Sequence, residues 1–160
     1  MKAWRSIALA GVAAVVCGCG GSDKLPREVR SALEEAEVFE LYSLEPLAAL
    51  DAPAAQFYGW KVLGKTVVTD TGTRDQFITA LRKGSAATDE AMANCFNPRH
   101  GIRVTSGEVT TDLVICFECL WVEVFRAGER VGGFATRPYS EAAFDEVLIA
   151  AGVPLAKKAK

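Results

Sequence analysis

Apolar and polar residues recur along the chain with two different spacings, which predict the order of helices and strands. Over residues 26–36, apolar positions recur every three or four residues, as on one face of a short helix. Residues 38–44 and 57–69 are rich in β-branched and aromatic residues, so each stretch predicts a strand. A capping box at residues 73–76 predicts a second helix, which we expect to end at Gly84.

The second half of the chain predicts strands joined by short turns. A turn at residues 97–101 leads into a strand at 102–104, and a hairpin follows. Residues 111–125 form the longest apolar run after the N-terminal segment, and we expect one central strand with Trp121 buried in its middle. A further hairpin leads into a strand at residues 130–136.

Ser140 predicts the start of a last helix, because serine is a common N-cap and apolar residues follow at helical spacing. Phe144 lies on that apolar stripe and is expected to be buried against the sheet. The short turns between the last three strands make them antiparallel neighbours. The pattern therefore predicts an α+β domain: a mainly antiparallel sheet of about five strands, with helices packed on one face.

The first nineteen residues have the composition of an export signal. Lys2 and Arg5 precede an uncharged, mostly apolar run of ten residues at positions 7–16. Such a run falls short of the roughly 20 residues that a helix needs to cross a bilayer. The chain is therefore expected to be exported, and an ordinary secretory signal with a soluble product remains the alternative to a lipid anchor.

Two cysteines after this run make the segment resemble a bacterial lipoprotein signal, in which the cysteine after the cleavage site receives the lipid. Cleavage before Cys19 places Gly18 at the preceding position, whereas cleavage before Cys17 would place a valine there. The resemblance implies that residues 1–18 are the signal peptide and that Cys19 is lipidated. Residues 19–24 then form a short tether, and the domain faces the periplasm or the exterior, close to the membrane.

Residues 25–155 are predicted to form a single domain, followed by a basic tail at residues 156–160. The formal net charge of the whole chain is −2, and no basic stripe with interleaved aromatic residues is present. We therefore expect no nucleic-acid partner; the membrane is the expected partner, through the lipid.

Three cysteines and the single histidine of the predicted domain fall in two short segments. A structural disulfide is the leading interpretation, because exported proteins keep disulfides, and Cys95 with Cys119 is the preferred pair. The alternative is a zinc site formed by Cys95, His100, Cys116 and Cys119, a set that zinc accepts. In one regular strand Cys116 and Cys119 would point to opposite faces, which argues against shared ligation and against a redox pair.

Arg99, His100 and Arg103 could form an anion-binding corner beside the predicted turn. His100 beside a cysteine could also suggest nucleophilic catalysis, but a lone histidine in a turn is more often structural. No motif of a hydrolase, a metalloprotease or a nucleotide-binding enzyme is present. We therefore assign no catalytic residue and no cofactor, with zinc as the alternative.

A cysteine–phenylalanine pair at Cys95-Phe96, the segment Pro98-Arg99-His100-Gly101 and the later Cys116-x-x-Cys119 resemble a group of small bacterial lipoproteins. The resemblance covers about residues 57–155 and implies no particular activity. The sequence as a whole predicts a membrane-anchored envelope lipoprotein that is a non-catalytic binding or structural module. The alternative is a metal-binding or thiol-dependent protein that uses the three cysteines and the histidine.

Overall fold

The computed structural model describes residues 24–46, 55–86 and 96–157. The predicted signal peptide, Cys19, Cys95 and the end of the basic tail lie outside the described residues. No helix among the described residues is long and apolar enough to cross a membrane. In chain order the elements are α1 (Arg27–Glu34), β1 (Val38–Glu45), β2 (Gln56–Phe57), β3 (Trp60–Val67), α2 (Thr71–Ala86), β4 (His100–Ser106), β5 (Val109–Cys116), β6 (Trp121–Arg126), β7 (Glu129–Ala135), a 3-10 turn (Pro138–Ser140) and α3 (Glu141–Ala150).

One antiparallel sheet of seven strands dominates the fold, in the order β2-β3-β1-β4-β5-β6-β7, and it curls into a half-barrel with three helices. The predicted α+β domain, with about five strands and helices packed on one face, is therefore wrong. Both extra strands come from tight turns inside runs that predict one strand each. Tyr58 and Gly59 take positive φ angles of 52° and 86° and fold the first run into a hairpin. Residues 117–120 turn the second run back on itself.

The curl of the sheet brings the β2 end over β4, from which two strands separate it, and over β6, from which four strands separate it. The Phe57 ring of β2 lies so close to Gly101 of β4 that a Cβ there would be 2.8 Å from a ring carbon. Glycine at this position therefore lets the β2 end of the sheet fold over β4. On the next residue, the Tyr58 ring stacks on Phe125 of β6, with ring centroids 3.7 Å apart.

The main core lies between the three helices and one face of the sheet. Phe144 of α3 is fully buried, as predicted, and its ring stacks on Phe77 of α2 with centroids 4.6 Å apart. Trp121 is less completely buried than Phe144. Five neighbouring strands of the sheet, β1, β4, β5, β6 and β7, contribute side chains to this core from the same face: Phe39, Leu41, Ile102, Val104, Leu113, Ile115, Val122, Val124 and Phe134.

A smaller core covers the opposite face of the sheet, which is why helix packing on one face does not describe the fold. Its buried members are Tyr42, Leu44, Phe57 and Val114. Aromatic side chains from the curled end surround them, among them Tyr58, Trp60, Phe96 and Phe125. Both faces of the central strand β5 are therefore buried, as its apolar run predicts.

Helix α2 begins before and ends after its predicted limits. The Asp70 carboxylate, rather than the predicted capping box, accepts the backbone N–H of Thr73 at 2.7 Å, and this places the helix start at Thr71. Gly84 lies inside the helix instead of ending it. A Cβ at Gly84 would lie 3.0 Å from the Thr136 hydroxyl oxygen, so glycine allows the helix to pack closely there.

Candidate functional site

The two cysteines at the β5–β6 connection form a disulfide with each other, Cys116 with Cys119. The prediction that they point to opposite faces of one strand is wrong, because they lie in a turn where positions three residues apart come together. The preferred pair of Cys95 with Cys119 is not formed, since the Cys119 sulfur is bonded to Cys116. Cys95 itself lies outside the described residues.

Backbone and charged groups fix the segment before β4 against this turn. The Asn97 N–H donates to the Cys119 sulfur at 3.3 Å. The Arg99 guanidinium, only 7% exposed, forms an ion pair of 2.6 Å with the Glu118 carboxylate. Leu120 has a φ angle of 59°, an uncommon conformation for a residue with a side chain, and it completes the turn.

His100 is buried, with 1% of its surface exposed, and its Nε2 lies 2.8 Å from the Asp145 carboxylate of α3. Its ring lies edge-on to Phe117 and Phe144. Glu141 lies one helical turn before Asp145, and one ligand atom of each of these three polar residues falls within 4.8 Å of the others. The adjoining cavity of about 20 Å³ has room for one water molecule.

The predicted zinc ligands do not come together as a set. Two of the four, Cys116 and Cys119, are bonded to each other and offer no thiolate while the disulfide is closed. His100 instead meets two carboxylates, Glu141 and Asp145. Arg99 lines the same small cavity, and a fixed cation beside a metal ion is electrostatically unfavourable.

Arg99 and His100 of the predicted anion-binding corner line the same small cavity, Arg103 lies away from them, and each of the three has a carboxylate partner. Arg99 pairs with Glu118 and His100 with Asp145. Arg103 points to the opposite face of β4, where it binds both oxygens of Asp112 at 2.9 and 2.8 Å. The hydrogen bond to Asp112 raises the pKa of Arg103 above its ordinary value. These charges are therefore used in internal ion pairs.

Two open cavities lie beside α1. A cavity of about 350 Å³, here called the apolar cavity, has a lining made mostly of apolar side chains and glycine: Pro26, Val29, Val124, Val131, Gly132 and Gly133. A second cavity of about 450 Å³, here called the polar cavity, includes Arg27, Ser31, Glu35, Ser106 and Val109. Glu28, Thr111 and Arg126 line both, so the two cavities adjoin, and together they are here called the groove.

The apolar cavity exists because strand β7 lacks a side chain at one position of its core face, Gly132. Gly132 pairs with Val124 of β6, and a Cβ at Gly132 would meet no atom within 4 Å. The next residue, Gly133, has no free space beside it. The Trp121 ring covers Gly133 so closely that a Cβ there would lie 2.7 Å from a ring carbon. The pair Gly132-Gly133 in a strand was the sequence signal for this cavity, because glycine in a strand often marks an open space or a close approach.

Comparisons of the chain with protein-family models, with curated proteins and with solved structures found no match. The site is therefore interpreted from its own geometry. A cavity of this size with apolar walls and a few charged groups at its border has the usual features of a binding site for a small organic molecule.

Proposed function

We propose that this chain is a lipid-anchored protein of a bacterial envelope, and that its domain is a non-catalytic module that binds a ligand in the groove beside α1. The observation that carries the binding role is the groove itself, with its apolar cavity open at Gly132. The charged groups near the disulfide support the same proposal, because the buried Arg99 and His100 are each paired with a carboxylate of the protein. The N-terminal signal supports the anchor.

The anchor is tested by mass spectrometry of the mature N-terminus. Replacing Cys19→Ser should abolish the diacylglycerol and release the protein from membranes or leave an uncleaved precursor. Cys17→Ser is the matched control, since it removes a cysteine two residues away and should leave the lipid in place. Lipid on Cys17, or an unmodified N-terminus in the unaltered chain, would contradict the proposed anchor.

The binding role is tested with 8-anilinonaphthalene-1-sulfonate, a dye that fluoresces in apolar sites. Val131 and Val67 are both exposed strand valines, at 62% and 53%, but only Val131 lines the groove. Val131→Glu should therefore lower dye binding, because it introduces a charge into the apolar cavity. Val67→Glu should leave it unchanged. Equal effects of the two substitutions would mean that the groove is not the binding site.

A further inference from the structure

We infer that the groove binds an amphiphile with one acyl chain, a lysophospholipid with an ethanolamine head group, taken from the membrane that carries the anchor. This inference rests on the proposed function and names the ligand class of the same site. It follows from the contrast between two joined cavities, one apolar and one polar, which together match the two ends of such a molecule.

The apolar cavity suits the acyl chain. Its floor is the gap at Gly132 opposite Val124, and Val29 of α1 and Val131 add apolar walls. Burying methylene groups against such walls is favourable, at about 0.8 kcal/mol for each. A volume of about 350 Å³ lies at the lower end of the range for small-molecule sites, which favours one chain over two.

The polar cavity suits a zwitterionic head group. Arg126 and Glu28 line both cavities, so one cation and one anion lie where the two cavities meet. A guanidinium binds phosphate with paired hydrogen bonds, and a carboxylate accepts hydrogen bonds from an ammonium group. Ser31, Ser106 and Thr111 add hydroxyl groups nearby. A head group with both charges satisfies this border better than a fatty-acid carboxylate does.

The position of the groove along the chain suits a ligand from the bilayer. Pro26 lines the apolar cavity and lies seven residues after Cys19, the proposed lipidation site. Seven residues reach no more than about 25 Å even when fully extended. An anchor at Cys19 therefore holds the groove near the surface of the membrane, where lysophospholipids are found.

The test uses the full chain in membrane vesicles and a lysophosphatidylethanolamine whose acyl chain carries a diazirine. After illumination, crosslinks should map to the peptides that contain Val124 and Val131. A palmitic acid probe with the same diazirine has no phosphate or amine and should label about 10-fold less, as expected from the loss of charge-assisted hydrogen bonds.

Three variants locate the ligand. Val124→Trp fills the apolar cavity and should abolish labelling, provided that its thermal unfolding matches that of the unaltered chain. The exposed Arg126→Ala cannot disturb the core and should lower labelling about 10-fold through the lost phosphate contact. Arg130→Ala is the matched control, since Arg130 is an exposed arginine of β7 outside the groove, and it should leave labelling unchanged.

Equal labelling of all variants, or crosslinks confined to peptides outside the groove, would overturn the inference. Labelling that is seen only in the Cys19→Ser chain would mean that an acyl chain of the protein's own anchor fills the cavity, and it would also overturn the inference. If the fatty acid labels as strongly as the lysophospholipid, the head group is wrong. None of these results alters the dye or mass-spectrometric tests, so a wrong ligand class is distinguishable from a wrong function.

Discussion

The two faces of the sheet are stabilised by different kinds of contact. The helix-covered face is apolar and contains three fully buried phenylalanines, Phe39, Phe77 and Phe144. The opposite face holds a smaller aromatic cluster and a polar bridge, in which Asp112 binds Arg103 and accepts the Tyr58 hydroxyl at 2.7 Å. The comparison teaches that the helices are fixed by packing, whereas the curled end of the sheet is fixed by a buried carboxylate that is 2% exposed.

The largest expected effect is on the helix-covered face. Phe144→Ala should lower the free energy of unfolding by about 3–5 kcal/mol, because it removes a buried ring and leaves a cavity between α2, α3 and the sheet. Urea denaturation measures this change. Ile149→Ala on the same helix is the control, since Ile149 is 62% exposed and should change stability by less than about 0.5 kcal/mol. Similar losses for both variants would mean that α3 does not pack through Phe144.

A smaller effect is expected on the opposite face. Asp112→Asn should cost about 2 kcal/mol, because Arg103 and Tyr58 lose a charged hydrogen-bond acceptor. The cost is moderated because the Arg103 side chain is 38% exposed and water can solvate it. Glu123→Gln is the control, since Glu123 pairs with the more exposed Arg130 and should change stability by less than about 1 kcal/mol. If Asp112→Asn left the free energy of unfolding unchanged, the bridge from Asp112 to Arg103 and Tyr58 would not stabilise the curled end of the sheet.

The Cys116–Cys119 disulfide closes the turn between β5 and β6, and its removal is expected to cost about as much as Asp112→Asn or slightly less. A loop of this length restricts the unfolded chain by about 2 kcal/mol. The double variant Cys116→Ala/Cys119→Ala should show this loss by urea denaturation. Dithiothreitol should lower the midpoint of the unaltered chain and leave that of the double variant unchanged. A variant that still responds to dithiothreitol would show that another bond carries the effect.

The sequence predicts the helices on one face of the sheet better than it predicts the turns between strands. The periodic apolar stripes place α1 and α3 correctly, because each helix buries one continuous stripe. The runs at 57–69 and 111–125 each predict one strand where the structure has two. The turns inside them are formed by Tyr58 and Leu120 at positive φ, a conformation that neither residue type predicts. Each missed turn hides one strand, so five strands are expected where seven are found.

The candidate sites, like the fold, could be predicted from the sequence only in part. The segment with Arg99 and His100 does lie beside the turn that holds Cys116 and Cys119, since Arg99 contacts Glu118 in that turn. Its partners Glu118 and Asp145 could not be predicted, because pairing between positions far apart depends on the final packing. The pair Gly132-Gly133 signals the gap in β7, but the groove as a whole could not be predicted, because its lining combines residues of α1, β5, β6 and β7 that are far apart in the sequence.

The smallest expected effect is a loss of stability at high pH on the face opposite the helices, caused by ionisation of Tyr58. Burial, and then its hydrogen bond to Asp112, raise the pKa of Tyr58 to about 12. Because the protonated phenol is favoured in the folded state, this stabilisation is fully present below about pH 10, the ordinary pKa of tyrosine. It is lost as the pH rises through about 12. We therefore expect a tyrosinate absorbance step near pH 12 in the folded protein, with folding checked by circular dichroism.

Three substitutions test the assignment of this absorbance step to Tyr58. Tyr58→Phe should remove it, whereas Tyr139→Phe, at a tyrosine that is 62% exposed, should leave it in place. Asp112→Asn should move the step to lower pH, because the negative charge that opposes ionisation of Tyr58 is gone, although burial still keeps the pKa above its ordinary value. A single absorbance step for all tyrosines near pH 10 would contradict the bridge. The curled end of the sheet would then rest on its aromatic packing alone.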